Sequence, residues 1–239
     1  MAHATTTPGF AVLPALLQDV EKIYDVYFSA FKADSMGRIM LEILFPGGYD
    51  GDEFRAAHAK ATREYWTSTQ NQYTWKVVDT DTGEIVGMIL ADVYTRARTK
   101  EERQNVGVPW LEGKQRTRAE TILGSLWDAR ERILGGRPYV YAHVIAVDPK
   151  HQGRKAGAMI CKWGADMAEA CRLPLYFEAS PSTVGLYKKM GFQVLSNKVV
   201  HGAGALEMAE DVEVPLMVMM PKALGDNFEE WREETADLA

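Results

Sequence analysis

The spacing of apolar and polar positions along the chain predicts an alternation of helices and strands. Leu16, Leu17, Val20, Ile23, Tyr24, Tyr27 and Phe31 recur at helical intervals, so a helix from Leu16 to Phe31 follows a short first strand at Phe10–Leu13. Pro46-Gly47-Gly48 breaks the pattern, and a second helix runs from Asp52, read as its N-cap, to Ser68. Thr74–Val78 and Ile85–Val93 are β-rich runs joined by the polar stretch Asp79–Glu84. That stretch looks like the start of a calcium loop, but its twelfth position is Leu90, which cannot ligate, so a hairpin turn is expected.

Residues 96–136 stand apart. Thr95–Asn105 is highly charged, Val106–Gly113 holds Pro109 and Trp110, and Lys114–Leu134 has helical character. An apolar run, Tyr139–Val147, comes next, then an Asp148-Pro149 turn. The helix after it carries its apolar side on Ala156, Met159, Ile160, Trp163, Met167 and Cys171. Leu175–Ala179 reads as a strand, and Ser180-Pro181-Ser182 as the break that starts a helix ending at Gly191. Strands Gln193–Val200 and Val212–Met219 flank a glycine-rich turn at 201–204, and the acidic tail Asn227–Ala239 reads as a peripheral helix. Residues 1–9 are expected to lack fixed structure. The whole describes one mixed α/β domain over residues 1–239, with a distinct helical segment at about 96–136 and an acidic tail from about 222.

Composition narrows the class without naming it. The 239 residues are 46% hydrophobic and 25% charged, ordinary for a globular protein, and a net charge of −6 disfavours a nucleic-acid surface. No apolar run approaches the ~20 residues that span a bilayer, and the N-terminus lacks a basic signal region. Cys161 and Cys171 lie ten positions apart on one predicted helix, ~15 Å at 1.5 Å per residue and beyond disulfide reach. Both are read as buried and reduced, which points to the cytoplasm. Trp66, Trp75, Trp110 and Trp127 either line a hydrophobic cleft or pack the core, and the core is the favoured reading. His3, His58, His151 and His201 form no ligand spacing, so no metal is expected.

The chemistry concentrates in His151-Gln152-Gly153-Arg154-Lys155-Ala156-Gly157-Ala158. A basic glycine loop between a strand and a helix aims backbone N–H groups and the positive helix end at one point, which suits a phosphate. Neither the ATP-type loop nor the dinucleotide Gly-x-Gly-x-x-Gly string is present. The segment instead resembles the Gln/Arg-x-x-Gly-x-Gly/Ala signature of the GNAT acyltransferase superfamily, matching at Gln152 and Gly157, with Lys155 where that family usually has its middle glycine. Leu186-Tyr187-Lys188-Lys189-Met190-Gly191-Phe192 resembles the same family's tyrosine-containing helix.

The resemblance implies a mixed, mostly antiparallel twisted sheet flanked by helices, and an N-acetyltransferase moving acetyl from acetyl-CoA directly to a primary amine of a small molecule. It implies that Gln152, Gly153, Arg154, Lys155, Ala156, Gly157 and Ala158 hold the pyrophosphate. Ile145, Ala146 and Val147 would offer strand backbone to the pantetheine arm, with Ser180 and Tyr187 completing the cofactor set. Tyr187, ordinarily titrating near 10, would protonate the leaving thiolate. A strand N–H near Ile145 would meet the oxyanion. Tyr141 and His143 alternate onto one strand face, and His143 is the favoured base, with Glu178 a substitute. A hydrogen-bonded core histidine is the competing reading of His143, and a solvated helix start that of Arg154 and Lys155. The family pattern has a shorter connection before the loop-bearing strand, so the resemblance makes residues 96–136 a helical insertion, which either shapes acceptor choice or only pads the sheet. A non-catalytic acyl-CoA-binding module, O-acyl transfer and other natural-product chemistry on the same fold stay open, as does a homodimer.

Overall fold

The structure, a computed structural model, describes residues 6, 7 and 9–238. Its elements in chain order are β1 Thr6–Thr7, β2 Phe10–Pro14, α1 Val20–Ala33, α2 Ser35–Leu44, α3 Asp52–Ser68, β3 Gln72–Asp79, β4 Ile85–Tyr94 and α4 Gly113–Leu134. They continue as β5 Tyr139–Val147, α5 Ala156–Cys171, β6 Leu175–Glu178, α6 Val184–Lys189, β7 Gln193–His201, α7 Ala203–Leu206, β8 Val212–Met219 and α8 Phe228–Glu234. The expected unstructured stretch at 1–9 falls largely outside the described residues, as does His3. Within it, Thr6 and Thr7 pair with Ala11 and Phe10.

The fold divides into two compact units, residues 1–93 with 142–166 and residues 94–141 with 167–239. In the first, β1, β2, β3 and β4 are joined antiparallel in chain order, and the Asp148 N–H donates to the Val86 carbonyl at 2.9 Å where β5 ends. The apolar stripe of α1 buries Ile23, Val26, Tyr27 and Phe28 against Leu41, Met88 and Ala146. The α1 stripe begins later than its sequence pattern suggests: Leu17–Asp19 is a 3-10 turn, and Leu16 and Leu17 are exposed. Helix α2 has no counterpart in the sequence reading. Asp34 caps it by accepting from the Gly37 N–H at 2.8 Å, and Leu41 and Ile43 are its buried side. Gly51 takes the N-cap position of α3, which moves Asp52 into the first turn.

Against α1 packs a nest of aromatic rings around His58, whose ring lies 4.5 Å from Tyr24, 5.4 Å from Phe28 and 5.6 Å from Phe54. Burial, with Arg55 nearby, pushes the His58 pKa down to about 4. The unfolded chain therefore binds the proton more readily than the folded one. The stabilisation is complete above pH ~6.5 and is lost as pH falls from there toward 4. Allowing for partial exposure, about 1–2 kcal/mol is expected to disappear across that window. Urea denaturation at several pH values checks it, with His58→Phe expected to lack this component; parallel curves for the two proteins would refute the assignment.

In the second unit the strands follow the order β5, β6, β8, β7, with β5 and β6 parallel (Val140↔Leu175, Tyr141↔Tyr176) and the other pairs antiparallel. Ala129, Ile133 and Leu134 of α4 pack with Tyr176, Leu216 and Val218 and with Phe228 and Trp231 of α8. The acidic tail is therefore not peripheral. Its two large side chains fill the core while its carboxylates face water, and the buried Arg137 donates to the Arg232 carbonyl at 2.8 Å and to Thr235 Oγ1 at 2.7 Å. A short helix, α7, replaces the expected glycine-rich turn. Two burial expectations fail as well: Cys171 is exposed while Cys161 is buried, and Trp110 is 59% exposed.

Candidate active site

In the first unit, β5 runs into the basic loop through a compact turn. The Asp148 carboxylate accepts from the Lys150 N–H at 2.9 Å, and Pro149 fixes the start of a 3-10 turn over residues 149–151. The Gln152 side chain reaches back to donate to the Val147 carbonyl at 3.3 Å, so this glutamine ties the loop to the end of β5. Gly153 follows at φ +76° and Lys155 at φ +72°, both left-handed. Helix α5 starts at Ala156, the first residue of its apolar stripe. The Lys155 carbonyl takes an early helical bond from the Met159 N–H at 3.0 Å, so the first-turn N–H groups at Ala156, Gly157 and Ala158 have no partner within the helix. Gly157 leaves the surface open there, since a Cβ on it would meet only Val147 Cγ2, at 3.7 Å.

The loop therefore keeps a glycine-like backbone at Lys155, the position where the signature has glycine. A left-handed conformation costs a side-chain-bearing residue about 1–2 kcal/mol. Lys155→Gly removes that strain and returns about 0.4–1 kcal/mol through the freer unfolded chain, so a net gain of about 0.5 kcal/mol is expected. The same change removes an exposed charge from the loop and is expected to weaken CoA binding about two- to fivefold. Thermal denaturation and calorimetry read the two effects, which run in opposite directions; a variant that is less stable or binds unchanged contradicts this account.

Arg154, read as a phosphate contact or a solvated residue, is exposed and also makes contacts within the protein. Its guanidinium pairs with Asp79 Oδ2 at 2.9 Å, meets His151 Nδ1 at 2.8 Å and lies 4.7 Å from the centre of the Phe10 ring. Asp79 is buried at the end of β3. Burial alone would raise its pKa, but the Asp81 N–H and Arg154 outweigh that and lower it. Arg154 is thus an anchor of the loop onto β3, and both it and Lys155 are exposed.

Earlier on β5, His143 Nε2 lies 2.7 Å from Asp92 Oδ2. The carboxylate is buried, whereas a third of the imidazole side chain is exposed. A buried acid behind an accessible imidazole fixes the ring's orientation. Asp92 is the functional candidate that sequence reasoning missed. The available signal is a single acid inside the otherwise apolar strand Ile85–Tyr94, because a carboxylate buried among apolar residues needs a partner. Ile145 and Val147 are half-buried and Ala146 is buried.

The remaining candidates lie in the second unit. Tyr187 is buried on α6, its ring 4.6 Å from Phe177 and 5.7 Å from Phe192, and Gly191 ends that segment at φ +90°. The Ser180 hydroxyl lies 3.0 Å from that of Ser182, and the Ser180 carbonyl accepts from the Thr183 N–H at 2.9 Å. Tyr141 is buried and donates to Glu178 Oε2 at 2.8 Å. Burial and then the Glu178 charge push its hydroxyl well above the ordinary 10, so Tyr141 is a proton donor and not a base. Although Tyr141 and His143 alternate on one strand, the first engages Glu178 and the second Asp92. Among the described residues no group of three or more His, Cys, Asp or Glu side chains is arranged for a metal, and no helix is long and apolar enough to cross a membrane.

The model of the GNAT acetyltransferase family matches residues 38–192, and the chain belongs to that family. A probable acyltransferase, SID5 of Ajellomyces capsulatus, is 30% identical over 136 residues, covering 57% of this chain and 94% of the relative. The protein is therefore an acyl-transferring enzyme. Its mixed sheet flanked by helices is the GNAT fold. Arylalkylamine N-acetyltransferase 7 of the yellow fever mosquito superimposes with a TM-score of 0.60 at 15% identity, covering 88% of this chain and 87% of that one. The C-terminal condensation domain of Ebony, solved with β-alanyl-dopamine, gives 0.61 at 15% identity over 90% of this chain and 100% of its own.

Proposed function

We propose that this enzyme transfers the acetyl group of acetyl-CoA directly to a primary amine of a small molecule. The observation that carries this reading is the loop between β5 and α5. There, left-handed Gly153 and Lys155 lead into first-turn N–H groups that have no partner within α5, beside an open Gly157 surface. Such an array fits a diphosphate, with Lys155 adding charge and Gln152 and Arg154 holding the loop in place. The backbone of Ile145, Ala146 and Val147 serves the pantetheine arm, which has the amide spacing of an extended strand. Ser180 completes the cosubstrate contacts.

The chemistry follows from what each group can do. His143, oriented by Asp92, takes the proton of the acceptor ammonium. The freed amine nitrogen attacks the thioester carbonyl carbon, and a strand N–H near Ile145 stabilises the oxyanion. The C–S bond then breaks, the thiolate takes a proton from Tyr187 to leave as CoA, and the second proton lost by the amide nitrogen restores the Tyr187 hydroxyl. Tyr141 keeps its proton and braces the strand through Glu178. Arylalkylamine acetyltransferases of the same fold put small primary amines within its range. Two unpaired cysteines accord with a reducing, cytoplasmic setting.

The experiment is CoA thiol release from acetyl-CoA across a panel of primary amines and matched alcohols, with product masses. Release that depends on amine and yields a product one acetyl group heavier is the expected result. Release with alcohols only, or acyl donors other than acetyl-CoA strongly preferred, overturns it.

A further inference from the structure

The second unit buries a charged cluster that the scheme above leaves unused. Arg130 of α4 places its guanidinium 4.0 Å from the centre of the Tyr141 ring and its Nη1 3.9 Å from Glu178 Oε1. Glu178 Oε2 accepts from Tyr141, and only 9% of the Glu178 side chain is exposed. Glu178 Oε1, Arg130 Nη1 and the Tyr176 hydroxyl are all buried without a hydrogen bond. Tyr139 and Tyr141 on β5 and Tyr176 on β6 are the other titratable groups facing Glu178; Arg98 stacks on Tyr94 and Tyr139 at 3.5 Å and 5.2 Å. Arg130 is thus the cation nearest a carboxylate removed from water, and it comes from the helix that the sequence marks as an insertion.

We propose that Arg130 is a positioning residue: α4 delivers its guanidinium to Glu178 and the Tyr141 ring, fixing the Tyr141–Glu178 hydrogen bond two residues before His143 on β5. This rests on the acetyl-transfer reading of the site. The physical reason is that a carboxylate nine-tenths buried keeps its charge only when a cation compensates it. Without Arg130, the buried Glu178 carboxylate loses its compensating cation, and the acceptor of the Tyr141 O–H is no longer held in place. Strand β5 then loses the bond that sets its side-chain face ahead of His143. The charged helix of the insertion acts on the site through this contact and is more than padding.

The test compares wild type, Arg130→Met, Arg130→Lys, Glu178→Gln and the Arg130→Met/Glu178→Gln pair. Arg130→Met is expected to lower kcat about 10- to 100-fold with KM for both substrates nearly unchanged, part of the range that positioned acids and bases supply. Arg130→Lys should recover part of that loss. Independently of activity, urea unfolding of the same proteins at one pH reads the contact itself. Removing one partner of a buried pair leaves an uncompensated buried charge and costs more than removing both. Arg130→Met should therefore be clearly less stable than wild type. Adding Glu178→Gln to it should recover part of that stability. Equal stability of wild type and Arg130→Met, or losses that add in the double variant, overturn the proposal. If wild type transfers no acetyl to amines while the stability result holds, the function reading alone fails.

Discussion

Tyr187→Phe is expected to lower kcat by about 10²–10³-fold while the affinity for acetyl-CoA stays within about twofold, the signature of a lost proton donor. The change is clean because the ring packs on Phe177 and Phe192, and phenylalanine preserves those contacts. The fold should therefore survive, and the kinetic effect belongs to the hydroxyl. Steady-state kinetics with calorimetric CoA binding separates the outcomes. An unchanged kcat would remove Tyr187 from the chemistry, and a loss confined to KM would make it a binding group.

Gly157→Trp is expected to do the reverse, weakening acetyl-CoA binding at least about 100-fold, or about 2.7 kcal/mol, with kcat at saturation little changed. A side chain there grows from the first turn of α5 over the amides that would receive the diphosphate. Gly157→Ala is the control. Its Cβ makes only an ordinary contact with Val147, so CoA affinity near wild type is expected. If both variants bind CoA like wild type, the anion site lies elsewhere.

The parts of this protein that could be read from its sequence are those set by neighbours along the chain. The loop at 151–158 follows from glycines placed between an apolar run and a helical stripe, and α1, α5 and β8 follow from apolar spacing alone. The left-handed Lys155 was hidden because lysine gives no sign of a positive φ; only the comparison with a glycine signature marks that position. Asp92 was hidden because its partner is 51 residues away, a pairing that local spacing does not encode. Helix α2 escaped because Gly37, which the structure buries, breaks an otherwise regular apolar pattern. Arg154 looked like a free cation because its partner Asp79 sat in what read as an ordinary polar turn.

Helix α8 was misjudged for its acidity, although Phe228 and Trp231 stand three apart, the interval that places two side chains on one helix face. Those two rings complete the interior built by Ala129, Ile133 and Tyr176. During vectorial synthesis that interior has to wait: everything from residue 94 onward that belongs to it is made before the rings that seal it leave the ribosome. That interior thus closes later in synthesis than the interior of the other half, whose last segment ends at residue 166.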